Sequence, residues 1–153
     1  MRRQVLSILL LPLVLGTLAV ANGMARPAEQ GNKDAEDNKL IGTWKLVSSN
    51  YGDKEIDVSK LGTTVKHITP TSFVWVGYDA ETKVVSRMAG GSYTLKGDQY
   101  EETPRYGLST DFDLIRDKPQ SFSFKIEGDK WHHNGALSNG LKIHEVWERC
   151  KKE

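Results

Sequence analysis

Ser121-Phe122-Ser123-Phe124-Lys125-Ile126-Glu127-Gly128-Asp129-Lys130-Trp131 is the stretch that decides the fold class. Ser121 to Glu127 alternates polar and apolar at every step, the period-two pattern of a strand with one buried face. Gly128-Asp129 then interrupts it. Glycine accepts the positive φ required at the first position of a two-residue hairpin turn, so a second strand headed by Trp131 should fold back on the first. Upstream, Tyr93-Thr-Leu-Lys-Gly-Asp-Gln-Tyr100 lines up residue for residue with Phe124-Lys-Ile-Glu-Gly-Asp-Lys-Trp131. Two hairpins of one design imply a meander.

Further strands are expected around them: Gly42–Tyr51, Val65–Ile68 before the Pro70 turn, and Ser72–Tyr78 and Lys83–Met88 flanking Asp79-Ala-Glu-Thr82. Asn139-Gly140 is a turn signal joining Lys130–Leu137 to Leu141–Arg149. Asp111–Lys118 reads as a short helical turn, and only Val58–Leu61 otherwise has helical period. About nine strands in roughly 110 residues predict an all-β fold, an antiparallel up-and-down barrel of about eight to ten strands. Phe73-Val74-Trp75-Val76 is apolar on both faces. A barrel interior covers one face, and a loop or partner chain is expected over the other.

The front of the chain differs in kind. Arg2-Arg3 precedes an almost wholly apolar run from Val5 to Val20, and Ala19-Val20-Ala21 supplies the small residues of a cleavage site. Residues 1–21 therefore read as a signal peptide for export to the periplasm or the exterior. The apolar run is short for a bilayer-spanning helix, and against the alternative of a retained signal anchor the Ala-x-Ala pattern argues for cleavage. Residues 22–39 are polar and without periodicity, a flexible linker, and 40–150 is the barrel domain. Removing 1–21 takes two arginines and no acid, so the formal net charge of +1 becomes −1. Such a balance gives no electrostatic reason to bind nucleic acid or to stay at a membrane. Cys150 is the sole cysteine, so the core is not stapled by an internal disulfide.

Gly42-Thr43-Trp44 in the first strand and Glu145-Val-Trp147-Glu-Arg149 in the last resemble the calycins, the group of lipocalins and fatty-acid-binding proteins. Ile68-Thr-Pro-Thr-x-Phe73 and Gly90-Gly-Ser-Tyr-Thr-Leu95 narrow the likeness to small secreted lipocalin-like bacterial proteins of mostly unassigned function. The resemblance covers Leu40 to Arg149. It implies that Trp44 closes the barrel floor and that Arg149 packs over it, a cation–π contact worth about 0.5–2 kcal/mol. Fatty-acid-binding members grip a carboxylate with Arg-x-Tyr on the last strand. Matching that Tyr to Trp147 puts Glu145 where the Arg stands, so the resemblance implies a neutral or cationic ligand in place of a long-chain fatty acid.

Register decides which side chains face inward. A two-residue turn at Asn139-Gly140 would set His133 against Val146 and put Trp131 and Trp147 on opposite faces. A bulge at Asn134-Gly135 shifts the pairing by one, so that Trp131 meets Trp147 and His133 meets Glu145. The bulged register buries both indoles and is the one expected. Trp75, Tyr93, Tyr100, Trp131, His133, Glu145 and Trp147 then form the expected ligand site, with His133–Glu145 as polar anchor or as a satisfied core pair.

Catalytic and metal readings are weaker. Glu101 and Glu102 are strand neighbours facing opposite sides, as are His132 and His133, so neither pair can act on one atom. Gly90-Gly91 precedes a strand and suits a bend or bulge, not a phosphate loop. Arg87 and Arg105 could reach a barrel mouth, although strand-borne arginines are usually solvent-facing. No catalytic residues, cofactor or metal are expected.

The leading expectation is a non-enzymatic protein binding a small, largely apolar or amphipathic ligand. A protein-interaction module with a filled barrel, an inhibitor or envelope assembly factor, is the second, and a small barrel isomerase or hydratase the third. A cavity of a few hundred Å³ separates the first two. The cleavage reading predicts a mature chain beginning at or near Asn22; N-terminal sequencing that finds Met1 on exported protein would contradict it.

Overall fold

A computed structural model describes residues 38–108 and 112–151. The signal peptide expected at 1–21, and the expected linker apart from Asn38 and Lys39, lie outside the described residues. Nine strands follow in order: β1 Gly42–Tyr51, β2 Lys54–Ile56, β3 Thr63–Ile68, β4 Ser72–Tyr78, β5 Val85–Lys96, β6 Gln99–Leu108, β7 Gln120–Glu127, β8 Lys130–Ala136 and β9 Lys142–Arg149. A 3-10 turn spans Val58–Leu61, and a single helical turn, α1, spans Phe112–Ile115.

Each of β3 to β9 pairs antiparallel with the next, and β9 pairs with β1, closing an eight-stranded up-and-down barrel. β1 reaches β3 through Gly42–Lys45, while its far end, Ser49–Tyr51, pairs with the short β2. Gly97-Asp98 and Gly128-Asp129 form the two-residue turns expected of them, each glycine at positive φ. The strands expected at Lys83–Met88 and Ser92–Lys96 are parts of one continuous β5, which begins at Val85 and leaves Lys83 and Val84 in the preceding loop. Its bend falls between Gly90 and Gly91, where the register with β6 shifts.

The β8–β9 register is the one expected, but its cause differs. Trp131 pairs with Trp147 and His133 with Glu145, but the ladder runs unbroken from Lys130–Glu148 to Ala136–Lys142. Asn134-Gly135 carries no bulge. The extra residue sits in the turn: Leu137 N donates to Leu141 O and Gly140 N to Leu137 O, with Gly140 at φ +86°. Ser138-Asn139-Gly140 is a three-residue loop whose last position is left-handed, a conformation glycine adopts without strain.

The closed end is packed solid. Trp44, Tyr100 and Trp131 are fully buried, with Leu40, Ile68, Phe73 and Phe122 around them. Trp131 meets Trp44 edge-on with ring centroids 5.6 Å apart, and Tyr100 at 5.4 Å. The latch expected from Trp44 and Arg149 is present. The two residues pair across β1 and β9, the Arg149 guanidinium carbon lies 4.1 Å from the indole centroid, and Nη1 donates to Ile41 O at 3.0 Å. Trp44 Nε1 donates to Leu40 O at 2.8 Å, so its one polar atom is satisfied. Gly42 sits at φ +140°, and a Cβ there would lie 2.7 Å from Arg149 Nη1. The Gly-x-Trp pattern thus has a steric cause: the guanidinium covering Trp44 occupies the space of a side chain at 42. Asn38 also joins this end, donating from Nδ2 to the Tyr93 hydroxyl at 2.7 Å.

Outside, Val74 and Val76 are only half-buried. In place of a loop, the Tyr106 ring folds flat over Gly90, the residue paired with Val74, and Tyr106 and Leu108 stay half exposed.

Trp44→Ala should destabilise the protein by about 3–5 kcal/mol, the usual cost of truncating a buried aromatic, and Arg149→Ala by about 1 kcal/mol. The two should not add, because the residues touch. Urea denaturation of both single variants and the double variant measures this; strict additivity would contradict the latch.

Candidate functional site

Above the packed half, toward the end where β1 finishes and β3 begins, the barrel is hollow. A cavity of about 360 Å³ opens there. Leu46, Trp75, Phe122 and Ile143 give it apolar sides, and Leu114 and Ile115 of α1 with Leu137 and Leu141 stand at its mouth. Phe112 is buried against Gly107, which seats α1 across the opening. The buried Gln120 ties in the β8–β9 loop, accepting from Ser138 N at 2.7 Å and donating to Ser138 Oγ at 3.0 Å.

The inner wall is charged. Lys66 is 2% exposed and donates to Glu102 Oε1 at 2.7 Å, with Glu102 5% exposed. The ammonium lies 4.8 Å from the Trp147 ring centroid and 5.1 Å from that of Trp131, within the range of cation–π attraction. The Tyr100 hydroxyl donates to the same Glu102 oxygen at 2.8 Å. Burial, then the Glu102 charge, push the Tyr100 phenol well above its ordinary value, so it remains a donor.

Beside this pair stands a second polar group. His133 Nδ1 donates to Glu145 Oε2 at 3.2 Å, and Trp147 Nε1 donates to the same oxygen at 3.0 Å. An ionised carboxylate only accepts, so the proton is on Nδ1. Burial and then the Lys66 charge hold His133 below its ordinary value against the pull of Glu145, leaving the ring neutral near pH 7. Burial acts against charge on Glu145 as well. The hydrogen bonds from His133 and Trp147 and the field of Lys66 outweigh it, so the carboxyl lies below its usual range. The Tyr51 hydroxyl reaches Glu145 Oε1 only at 3.4 Å; burial, then the Glu145 charge, push its phenol up to about 12.

Of the seven residues expected at the site, Trp75, His133, Glu145 and Trp147 line the cavity. Tyr93, Tyr100 and Trp131 do not. They face inward, but they sit one layer deeper: Tyr100 and Trp131 fill the closed half, and the Tyr93 hydroxyl donates to Thr69 O at 2.7 Å. The correction has a simple cause. Alternation reports the side of the sheet a residue faces, not its height along the barrel.

Lys66, Glu102 and Tyr51 are in the wall without having been expected there, and of the two arginines that could reach the mouth Arg87 does so. Parity held the signal for two of them, since Lys66 alternates with Thr64 and Ile68, and Glu102 shares a face with Tyr100. Arg87 is half-buried at the open end, where Nη2 donates to Thr64 Oγ1 at 2.8 Å and to Leu61 O at 3.2 Å. Arg105 is exposed and pairs with Asp117. His132 points outward to Glu127, away from His133.

No protein-family model and no curated protein sequence matches this chain. Solved structures do. A lipocalin-like protein from Bacteroides uniformis superposes with a TM-score of 0.50 at 15% identity, covering 72% of this chain and 98% of that one. An uncharacterized protein from Bacteroides eggerthii gives 0.52 at 16% identity, over 72% and 98% of the two chains. At such identities the likeness speaks for the fold alone. With its Trp44–Arg149 latch and closed eight-stranded meander, this chain has a lipocalin-like fold.

Proposed function

We propose that this is an exported, non-enzymatic lipocalin-like protein that binds a small, largely apolar ligand inside its barrel. One observation carries the reading: a cavity of about 360 Å³ in the open half, with apolar sides and a few convergent polar groups at its inner end. That is the usual composition of a small-molecule site. The filled barrel expected of a pure interaction module is realised only in the closed half. The polar groups of the inner wall are mostly engaged with one another, Lys66 with Glu102 and His133 with Glu145, which suits holding a ligand better than turning one over. Export rests on Arg2-Arg3, the apolar run and Ala19-Val20-Ala21.

Titration with Nile red, a neutral apolar dye, tests the cavity. The folded protein should take up the dye saturably, one per chain. Ile143→Trp, which places an indole in the cavity wall, should reduce the affinity by about tenfold or more, roughly 1.4 kcal/mol. Absence of saturable uptake by folded wild-type protein would reject the binding reading in favour of the interaction module.

A further inference from the structure

The charges lining the cavity do not all cancel locally. Four charged side chains line it: Lys66, Arg87, Glu102 and Glu145. Lys66 and Glu102 neutralise each other at 2.7 Å. Glu145, 7% exposed, has only His133, Trp147 and Tyr51 as hydrogen-bonding partners, and no lysine or arginine lies within 4 Å of it among the described residues. Its two oxygens are unequally used. Oε2 accepts from both His133 and Trp147, while Oε1 has only the long contact with Tyr51. A carboxylate can accept about four hydrogen bonds, so Oε1 has capacity left.

Oε1 asks for a hydrogen and for positive charge. The neutral His133 ring does not supply that charge, and its Nε2, without a partner among the described residues, faces away from Glu145 and is closed to solvent. Arg87 does not meet the need: its guanidinium sits toward the mouth, on Leu61 O and Thr64 Oγ1.

We propose that the ligand is an amphipathic amine, its ammonium head received by Glu145 Oε1 and its apolar body lying along Leu46, Trp75, Phe122 and Ile143. This rests on the cavity reading above and adds the chemical class of the head group. Lys66 is held on Glu102 at 2.7 Å, which weakens its repulsion of such a head. A carboxylate head in the same place would face Glu145 directly.

Three ligands with one tail and different heads separate the alternatives: octylamine, 1-octanol and octanoate, each titrated calorimetrically into the intact protein at pH 7. Octylamine should bind about tenfold or more tighter than 1-octanol, as a charge-assisted hydrogen bond requires, and octanoate should bind weakest. Glu145→Gln should bring octylamine down to the affinity of 1-octanol. Equal affinities, or octanoate binding best through Arg87, would overturn the amine assignment while leaving the cavity reading intact. Failure of all three on folded protein would overturn the cavity reading itself. If Glu145→Gln does not fold, the order of the three ligands on wild-type protein decides.

Discussion

Lys66 carries a charge into the middle of the barrel, and much of the interior is arranged around keeping it there. A buried ammonium is expensive unless it is paired and hydrogen-bonded. Glu102 supplies the pair from the opposite wall, and Tyr100 supplies a further hydrogen bond to the same carboxylate oxygen. Trp131 and Trp147 turn their rings to the ammonium. These contacts bind β3, β6, β8 and β9 at one height. Below that height the barrel is filled by aromatic rings; above it there is space. The ion pair is thus the floor of the cavity as well as the ceiling of the core, and the polar wall a ligand would meet begins with it.

The closed end meets a different demand. An eight-stranded barrel needs its end covered without leaving polar groups unpaired. Trp44 fills the opening and Arg149 lies over it, giving hydrogen bonds to backbone carbonyls that precede β1. Gly42 is small because the guanidinium passes over it. Gly42 and Trp44 at the start of the barrel and Arg149 at its end therefore form one device. The opposite end is open, and α1 and the Ser138–Gly140 loop stand there.

Strand alternation made most of the fold legible. The two Gly-Asp hairpins and the strands of the meander follow from period two and turn chemistry, whereas the pairing of His133 with Glu145 follows from the demand that Trp131 and Trp147 both be buried. The turn at Asn139-Gly140 shows the limit: two-residue and three-residue loops share the same Asn-Gly signal, and only the hydrogen bonds at Leu137 and Gly140 tell them apart. The short β2 was missed because three residues are too few to show a period. The site was less legible. Tyr93, Tyr100 and Trp131 face the interior, yet their height along the axis depends on how strands are staggered around the whole barrel. Lys66 was passed over because a lysine on a strand is ordinarily solvent-facing. Its parity with Thr64 and Ile68 pointed inward, and the partner that makes this tolerable, Glu102, lies 36 positions away.

The stability of Lys66 variants tests the account most directly. Lys66→Met alone leaves Glu102 buried without its cation and should lower the unfolding free energy by about 3–5 kcal/mol in urea. Lys66→Met combined with Glu102→Leu should recover most of that loss, since an apolar pair no longer needs mutual neutralisation. A single Lys66→Met variant within about 0.5 kcal/mol of wild type would contradict it, because the lysine would then lie in solvent and the cavity would have a different floor.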